Sequence, residues 1–248
     1  MLLNIDTGME GKFDFPRRAA PPAVTYMLAS VPRSGSSHFS HLLWASGCLG
    51  APLEYLNYDG PYGFAAHSLE LQLGLWRSAL QRRTSPNGVF GFKCFPSQLQ
   101  ALDETNRALL GDVMSGVMAG RPPRIVHLAR RDRVAHMVSY ARAMLTGISR
   151  KEEEGDGVVV PYSEAALATA GHWIDSLSEA WEQMFRDLSV EPLRLWHEDV
   201  VADPGEAVRR VADYLGVAID PRAAVAVPPV LKQAEGDSRA WKERYAAG

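Results

Sequence analysis

The sequence is poor in the features that define several common classes of protein. It has 2 cysteines in 248 residues, too few for a disulfide-stapled secreted domain. It has no apolar run of about 18 residues and no secretory leader pattern, so neither a transmembrane segment nor export is expected. Its net charge of -3 lacks the basic excess typical of nucleic-acid-binding domains. We therefore expect a cytoplasmic protein with no nucleic-acid partner.

What the chain does contain is enough apolar sequence for one large core, with 46% hydrophobic residues. Strand-like and helix-like segments alternate along it, which predicts an α/β domain with a P-loop-like parallel sheet flanked by helices on both faces. We expect residues 1–22 to form a flexible arm, residues 23–248 to form the domain, and residues 149–161 to form a mobile loop. Strands are predicted at residues 24–31, 88–95, 124–129 and 192–196.

Helical patterns occupy most of the intervening sequence. Helices are predicted at residues 37–46, 67–83 and 97–119, after Asp132, after Ser163 and after Asp203. The helix after Ser163 carries an apolar stripe with alternating three- and four-residue steps, which is read as a core face, with a dimer seam as the alternative. Cys48 and Cys94 fall within or beside these elements and are expected to be small core residues.

A Gly/Ser turn separates the first predicted strand from the first predicted helix. Ser34, Gly35, Ser36 and Ser37 place backbone N–H groups at the positive end of the helix dipole, and Arg33 adds a fixed charge. The turn is not a Walker A loop, because Gly35 is followed by two serines and not by Lys-Ser/Thr. It therefore predicts a site for an anion other than an ordinary nucleoside triphosphate.

A second basic turn follows the third predicted strand, at Arg130 and Arg131. In a parallel sheet this turn lies at the same edge as the first, so one ligand with two anionic groups can contact both. For Arg130, phosphate binding and simple surface solvation are both left open.

Four segments together resemble a known family. They are PRSGSS at 32–37, GFKCF at 91–95, RDRVAHMVS at 131–139 and LWHEDVVADP at 195–204. This combination is similar to the PAPS-dependent sulfotransferases, and within them to the bacterial trehalose 2-sulfotransferase-like group. The resemblance implies a sulfotransferase domain that uses 3′-phosphoadenosine 5′-phosphosulfate (PAPS), releases 3′-phosphoadenosine 5′-phosphate (PAP) and needs no metal.

The resemblance also implies roles for individual residues. The 5′-phosphosulfate end of the donor is assigned to a loop that includes the start of the first helix, and the 3′-phosphate to a second site. The first set is Arg33, Ser34, Gly35, Ser36, Ser37 and His38; the second is Arg131 and Ser139. Further nucleotide contacts are assigned, on a weaker match, to the carboxy-terminal residues Lys232, Gln233 and Trp241.

The same resemblance points to the reacting groups. Glu54, in a Pro-x-Glu-Tyr segment, is the expected general base, with a surface loop residue as the alternative and His38 as a competitor for the role. Lys93 would be costly to bury unpaired, so it is expected to reach a pocket and stabilise charge on the leaving phosphate, or else to form a structural ion pair. His127, within a strand, is read as a core histidine, and Arg33 joins the catalytic set.

The expected reaction is sulfuryl transfer from PAPS to a hydroxyl of a sugar, glycolipid or other small alcohol. Tyr55, Tyr58, Tyr62 and Phe64 are candidates for walls of the acceptor site. A P-loop-type phosphotransferase or NTPase is the alternative enzyme. A nucleotide-sensing module that has lost turnover is the alternative that is not an enzyme. A homodimer is expected from the resemblance and from the apolar stripe.

Overall fold

Parallel strands form the centre of the protein, which a computed structural model describes for residues 6–58, 66, 68–120, 122–148, 160–230 and 235–247. The strands within those ranges are β1 (Val24–Ser30), β2 (Val89–Cys94), β3 (Ile125–Ala129) and β4 (Leu193–Trp196). They lie in the order β2-β1-β3-β4, and every pair of neighbours is parallel. All four predicted strands are thus confirmed to within one residue at each end.

Helices follow the strands and cover the sheet. They are α1 (Ser36–Ala45), α2 (Leu69–Arg82), α3 (Pro96–Thr105), α4 (Arg107–Met118), α5 (Arg133–Thr146), α6 (Glu164–Asp187), α7 (His197–Ala202), α8 (Pro204–Leu215) and α9 (Glu235–Ala247). The helix predicted at residues 97–119 is two helices, because Asn106 interrupts the first and its side chain caps the second by accepting from the Leu109 N–H. The short α7 and the tail helix α9 were not predicted.

The side chains of the sheet point alternately to two apolar layers. On β1, Tyr26 and Leu28 pack with α1 and α8, while Met27 and Ala29 pack with the layer that contains α4 and α6. The expected parallel sheet with helices on both faces is therefore confirmed. Cys48 and Cys94 are buried free thiols, as predicted. No helix in the described ranges combines the length and apolarity that crossing a bilayer requires.

The apolar stripe of α6 is part of the core. Leu167, Ile174 and Phe185 are buried, and the indole of Trp181 donates from Nε1 to the carbonyl of Ser30 at 2.8 Å, at the end of β1. The interpretation of this stripe as core is confirmed. Its other members Leu177, Met184 and Leu188 are partly buried and pack against the same core.

The described part of the N-terminal segment is held against the domain by Arg83. The Arg83 guanidinium is buried, donates to the carbonyls of Gly8 and Met9 at 2.8 Å each, and pairs with Asp14 at 3.1 Å. Gly8 itself lies against the side chains of Trp44 and Leu53. The flexible arm stays a prediction for residues 1–22, but these contacts anchor a large part of it.

Two buried histidines make stability depend on pH. Burial is the main reason that the pKa of His127 and the pKa of His136 are each lowered from 6.5 to about 4. In the unfolded chain both bind a proton near pH 6.5, whereas in the folded chain both stay neutral until about pH 4. Above pH 6.5 the free energy of unfolding carries no penalty from either histidine. As the pH falls toward 4, the free energy of unfolding decreases by roughly 2 to 3 kcal/mol for each histidine.

We expect urea unfolding at pH 7, 6, 5 and 4.5 to show this loss. His127→Gln, which removes one of the two groups, should flatten the dependence between pH 6.5 and 5 by about half. A pH dependence in that interval that is identical in both proteins would contradict the assignment.

Candidate active site

The loop of residues 32–37, called the donor loop below, connects β1 to α1 in an unusual backbone conformation. Arg33 has φ 67 and Gly35 has φ 87, so two of its residues adopt the left-handed region, one of them without the freedom of glycine. Gly35 is the N-cap of α1 and provides no side-chain hydrogen bond to the first turn. The N–H groups of that turn are consequently available to a ligand.

The ring of His197, the first residue after β4, packs against Gly35. A β-carbon at Gly35 would collide with the His197 imidazole. Only glycine therefore satisfies both the left-handed backbone and the available space at this point of the loop.

Arg33 and Ser139 meet although 106 residues separate them. The Arg33 Nε donates to the Ser139 Oγ at 3.1 Å, and Ser139 lies in the second turn of α5. The structure thus brings together two residues that the sequence assigned to opposite ends of one nucleotide.

Arg131, predicted to hold the 3′-phosphate, forms an ion pair with Asp199 in the structure. Its guanidinium is about half exposed, donates to both carboxylate oxygens of Asp199 at 2.6 and 2.8 Å, and lies 5.0 Å from the ring centre of Trp196. The hydrogen bonds to Asp199 raise the pKa of Arg131. The neighbouring Arg130 is the residue that contacts the donor loop, where its Nη1 donates to the carbonyl of Arg33 at 3.3 Å.

The turn between β3 and α5 is shaped by Glu198. Its two carboxylate oxygens accept the backbone N–H groups of Arg131 and Asp132 at 3.0 and 3.1 Å. Partial burial alone would raise the pKa of Glu198, but these hydrogen bonds together outweigh it and the pKa is lowered. Glu198 therefore holds the backbone of the basic turn, while Asp199 holds the side chain of Arg131.

Lys93 connects the donor loop to the candidate base. Its side chain is only 4% exposed, and its ammonium lies 2.7 Å from Glu54 Oε1 while donating to Ser37 Oγ at 2.9 Å. The predicted ion pair is therefore present, and a role for Lys93 in a substrate pocket stays a prediction. A single buried cation contacts a carboxylate on one side and the start of α1 on the other.

Glu54 is positioned by the edge of the sheet. Leu53 forms an isolated bridge to Phe92 of β2, and its carbonyl accepts the Lys93 N–H at 2.9 Å. The second oxygen of Glu54 accepts from the side chain of Asn57 at 3.3 Å, and the Glu54 side chain is 23% exposed. The carboxylate is thus held beside Lys93 and remains accessible to a substrate.

The remaining predicted nucleotide residues have mixed outcomes. His38 is half-buried in α1, and burial lowers its pKa. Trp241 is a core residue: its ring packs on Tyr162 and its Nε1 donates to the carbonyl of Val160 at 3.3 Å. Trp241 therefore packs in the core, and its nucleotide contact stays a prediction. Lys232 and Gln233 lie outside the described residues.

The aromatic walls predicted for the acceptor are corrected in one case. Tyr55 is buried, stacks on Phe90 and donates to the carbonyl of Ala51, so it belongs to the core. Tyr58 is half-buried, donates to the carbonyl of Gln72 at 3.4 Å, and remains a candidate wall. Tyr62 and Phe64 fall outside the described residues.

Sequence reasoning missed two histidines beside the donor loop. His197 follows β4, so the same strand-end argument that identified Arg131 was available for it. His136 precedes Ser139 by three residues on α5, a spacing that places both on one side of a helix. Its Nε2 lies 2.8 Å from the carbonyl of Pro32.

Within the described ranges, no group of three or more His, Cys, Asp or Glu side chains is arranged to hold a metal ion.

Comparison with known proteins shows which family the chain belongs to. The model of the Stf0 sulphotransferase family matches residues 25–248, so the chain belongs to that family. It is 27% identical over 257 residues to a trehalose 2-sulfotransferase of Mycobacterium tuberculosis (strain ATCC 35801 / TMC 107 / Erdman), with 90% of this chain and 94% of that protein covered. A trehalose 2-sulfotransferase of Mycolicibacterium smegmatis (strain ATCC 700084 / mc(2)155) is also 27% identical, over 253 residues, with 89% and 93% covered.

Among solved structures, the sulfotransferase domain of the Synechococcus PCC 7002 olefin synthase has a TM-score of 0.47 at 16% identity, with 94% of this chain and 98% of that chain covered. The family membership confirms the predicted resemblance to the trehalose 2-sulfotransferase-like group. The chain is a sulfotransferase. The alternatives of an NTPase and of a module without turnover are not supported.

The collision at Gly35 predicts a large effect of a small substitution. Gly35→Ala should lower the free energy of unfolding by at least about 2 kcal/mol, because a left-handed alanine is strained and its β-carbon meets His197. The double variant Gly35→Ala/His197→Ala should recover part of the loss, since only the collision is removed. Urea unfolding measures both.

Gly111→Ala is the matched control, because a β-carbon at Gly111 meets nothing within 4 Å. It should be neutral or slightly stabilising in the middle of α4. Equal stabilities of Gly35→Ala and the wild type would show that the loop tolerates a side chain at Gly35.

Proposed function

We propose that this sulfotransferase moves a sulfuryl group from PAPS to a hydroxyl of a sugar. Trehalose is the first acceptor to test, because the two relatives that match nearly the whole chain are named trehalose 2-sulfotransferases. The observation that carries the proposal is Lys93, whose ammonium joins the carboxylate of Glu54 to Ser37 of the donor loop. A base and an anion cradle that share one buried cation suit group transfer between an alcohol and an anionic donor.

The donor loop fits an anionic sulfuryl donor in three respects. The first turn of α1 has no side-chain cap, Arg33 contributes a guanidinium, and the fully buried hydroxyl of Ser34 lacks a hydrogen-bond partner among the described residues. A buried hydroxyl without a partner is costly unless a ligand or water supplies one. Together these groups surround a site for phosphate or sulfate oxygens.

PAPS, when bound, supplies an activated sulfuryl group with PAP as its leaving group. Glu54 would accept the proton of the acceptor hydroxyl, whose oxygen bonds to sulfur as PAP leaves. Lys93 and Arg33 would stabilise the negative charge that develops on the 5′-phosphate of PAP. The proton remains on Glu54 until the sulfated product and PAP leave.

The 3′-phosphate is assigned to Ser139 together with a basic residue of the turn after β3. Arg131 is the candidate from the family resemblance, and its partner Asp199 is the group that a phosphate would have to replace. Both side chains are about half exposed, so exchanging the carboxylate for a phosphate has a low cost. Arg130, which contacts Arg33, is the second candidate.

A cytoplasmic location and a homodimer remain predictions. The apolar stripe of α6 no longer argues for the dimer because it is buried in the core. The dimer therefore rests on the family resemblance, and light scattering after size-exclusion chromatography measures it.

Incubation with PAPS and trehalose should release PAP and form a monosulfated sugar, both detectable by mass spectrometry. Glu54→Gln should bind PAP with wild-type affinity and lower kcat about 100-fold or more, because the amide cannot accept the proton. Retained PAP binding also shows that Glu54→Gln is folded, although Lys93 loses its charged partner.

A wild-type protein that releases no PAP with trehalose or with a panel of other sugars, glycolipids and small alcohols would contradict the proposed reaction. Unchanged kcat in Glu54→Gln would remove the base assignment only. A thermal shift larger with ATP and Mg²⁺ than with PAP would favour a phosphoryl donor instead.

The pairing of Arg131 with Asp199 predicts an increase in affinity on mutation. Asp199→Asn frees the Arg131 guanidinium from a competing carboxylate, so PAP should bind a few-fold more tightly by isothermal titration calorimetry. Asp175→Asn is the matched control, because it breaks the exposed pair of Asp175 with Arg133, which lies on the face of α5 toward α6.

Asp175→Asn should leave PAP affinity unchanged. If Asp199→Asn has no effect while Arg130→Ala weakens PAP binding, the 3′-phosphate belongs to Arg130 and the assignment to Arg131 is wrong.

A further inference from the structure

Two consecutive carbonyls of the donor loop point toward the connection between β3 and α5. The carbonyl of Pro32 lies 2.8 Å from His136 Nε2, and the carbonyl of Arg33 accepts from Arg130 Nη1 at 3.3 Å. A carbonyl oxygen only accepts, so Nε2 of His136 carries a proton and donates it. The loop is thus attached through its backbone to two side chains of one neighbouring segment.

Arg33, the residue between these attachments, has an unfavourable backbone. Its φ of 67 costs a non-glycine residue about 1 kcal/mol or more, and such a conformation persists only where the surroundings impose it. The contacts that hold this part of the loop include His136 at the preceding carbonyl, Arg130 at the carbonyl of Arg33, and Ser139 at its guanidinium. Both His136 and Ser139 belong to α5, which holds the loop at two points.

The hydrogen bond to Pro32 also fixes a peptide plane. In a planar trans peptide, the C=O of one residue and the N–H of the next point in opposite directions. When His136 holds the carbonyl of Pro32 on the side of α5, the N–H of Arg33 is turned to the opposite side. The orientation of the first amide of the donor loop therefore depends on the His136 ring.

We infer that His136 is a positioning residue of the donor site, whose Nε2–H holds the Pro32–Arg33 peptide in the orientation that directs the Arg33 guanidinium to Ser139 and prepares the loop for the sulfuryl donor. The inference rests on the proposed function, which makes residues 32–37 the donor loop. His136 is not a catalytic residue, because it contacts the loop backbone and is buried behind it.

The charge state of His136 suits this role. Burial lowers its pKa to about 4, helped by the neighbouring cations Arg130 and Arg33 and by His197, while the hydrogen bond to Pro32 opposes the shift. The ring is consequently neutral at working pH, in the tautomer with the proton on Nε2. It donates a hydrogen bond to the loop without adding another positive charge beside two arginines.

The test uses two variants of His136 that differ in the N–H donor. His136→Met has a similar volume without the donor, and His136→Gln restores an amide N–H. His127→Met is the matched control, because His127 is equally buried and neutral but contacts Arg194 and Phe185 and not the donor loop. Stability is measured by urea unfolding, PAP affinity by calorimetry, and the tautomer of His136 by ¹⁵N NMR.

We expect His136→Met to weaken PAP binding about tenfold and to raise the KM for PAPS by a similar factor. His136→Gln should recover most of that loss, and His127→Met should lose comparable stability with unchanged PAP affinity. In the wild type, NMR should show a neutral ring protonated at Nε2.

Equal PAP affinity of His136→Met and the wild type would overturn this inference while leaving the proposed function intact, as would a ring protonated at Nδ1 alone. Failure of the wild type to bind PAP at all would instead overturn the proposed donor, and this inference with it.

Discussion

Every strand in the described sheet runs in the same direction, and the candidate active site depends on that constraint. Residues that follow parallel strands share one edge, however far apart they lie in sequence. Each strand accordingly contributes a group at or near its end. β1 leads to Arg33, β2 carries Lys93, β3 leads to Arg130, and β4 leads to His197. The hydrogen bond between Arg33 and Ser139 and the contact of His197 with Gly35 exist only because the strands are parallel.

Positive charge is concentrated at this edge of the sheet. Both carboxylates and uncharged oxygens accept hydrogen bonds from these cations. The carboxylates of Glu54 and Asp199 contact Lys93 and Arg131. Oxygens without charge accept from Arg33 and Arg130, namely the Ser139 hydroxyl and the Arg33 carbonyl. The uncapped first turn of α1 and the buried hydroxyl of Ser34 add further hydrogen-bond donors for an anionic ligand at the same edge.

Local pattern was sufficient for the strands and for the position of the donor loop, because these follow from periodicity and from strand ends, but it did not predict the contact of Arg33 with Ser139. It was insufficient where tertiary packing decides. Nothing local distinguishes Arg130 from Arg131; their roles in the fold are set by Asp199, nearly 70 residues later. Tyr55 and Trp241 look like ligand-facing aromatics, yet neighbouring apolar elements bury both. His136 became visible only when its partner, a backbone carbonyl on another element, was known.

The contacts of Gly8, Met9 and Asp14 indicate where the folded part of the chain begins. By composition the chain looks divisible near Ala23, but Gly8 covers Trp44 and Leu53, and Leu53 is the residue before Glu54. A chain shortened to start at Ala23 would uncover this apolar surface and deprive the buried guanidinium of Arg83 of the carbonyls and the carboxylate that surround it. Gly8, Met9 and Asp14 thus belong to the packed structure that adjoins Glu54, so we expect removal of the segment before the first strand to destabilise the fold.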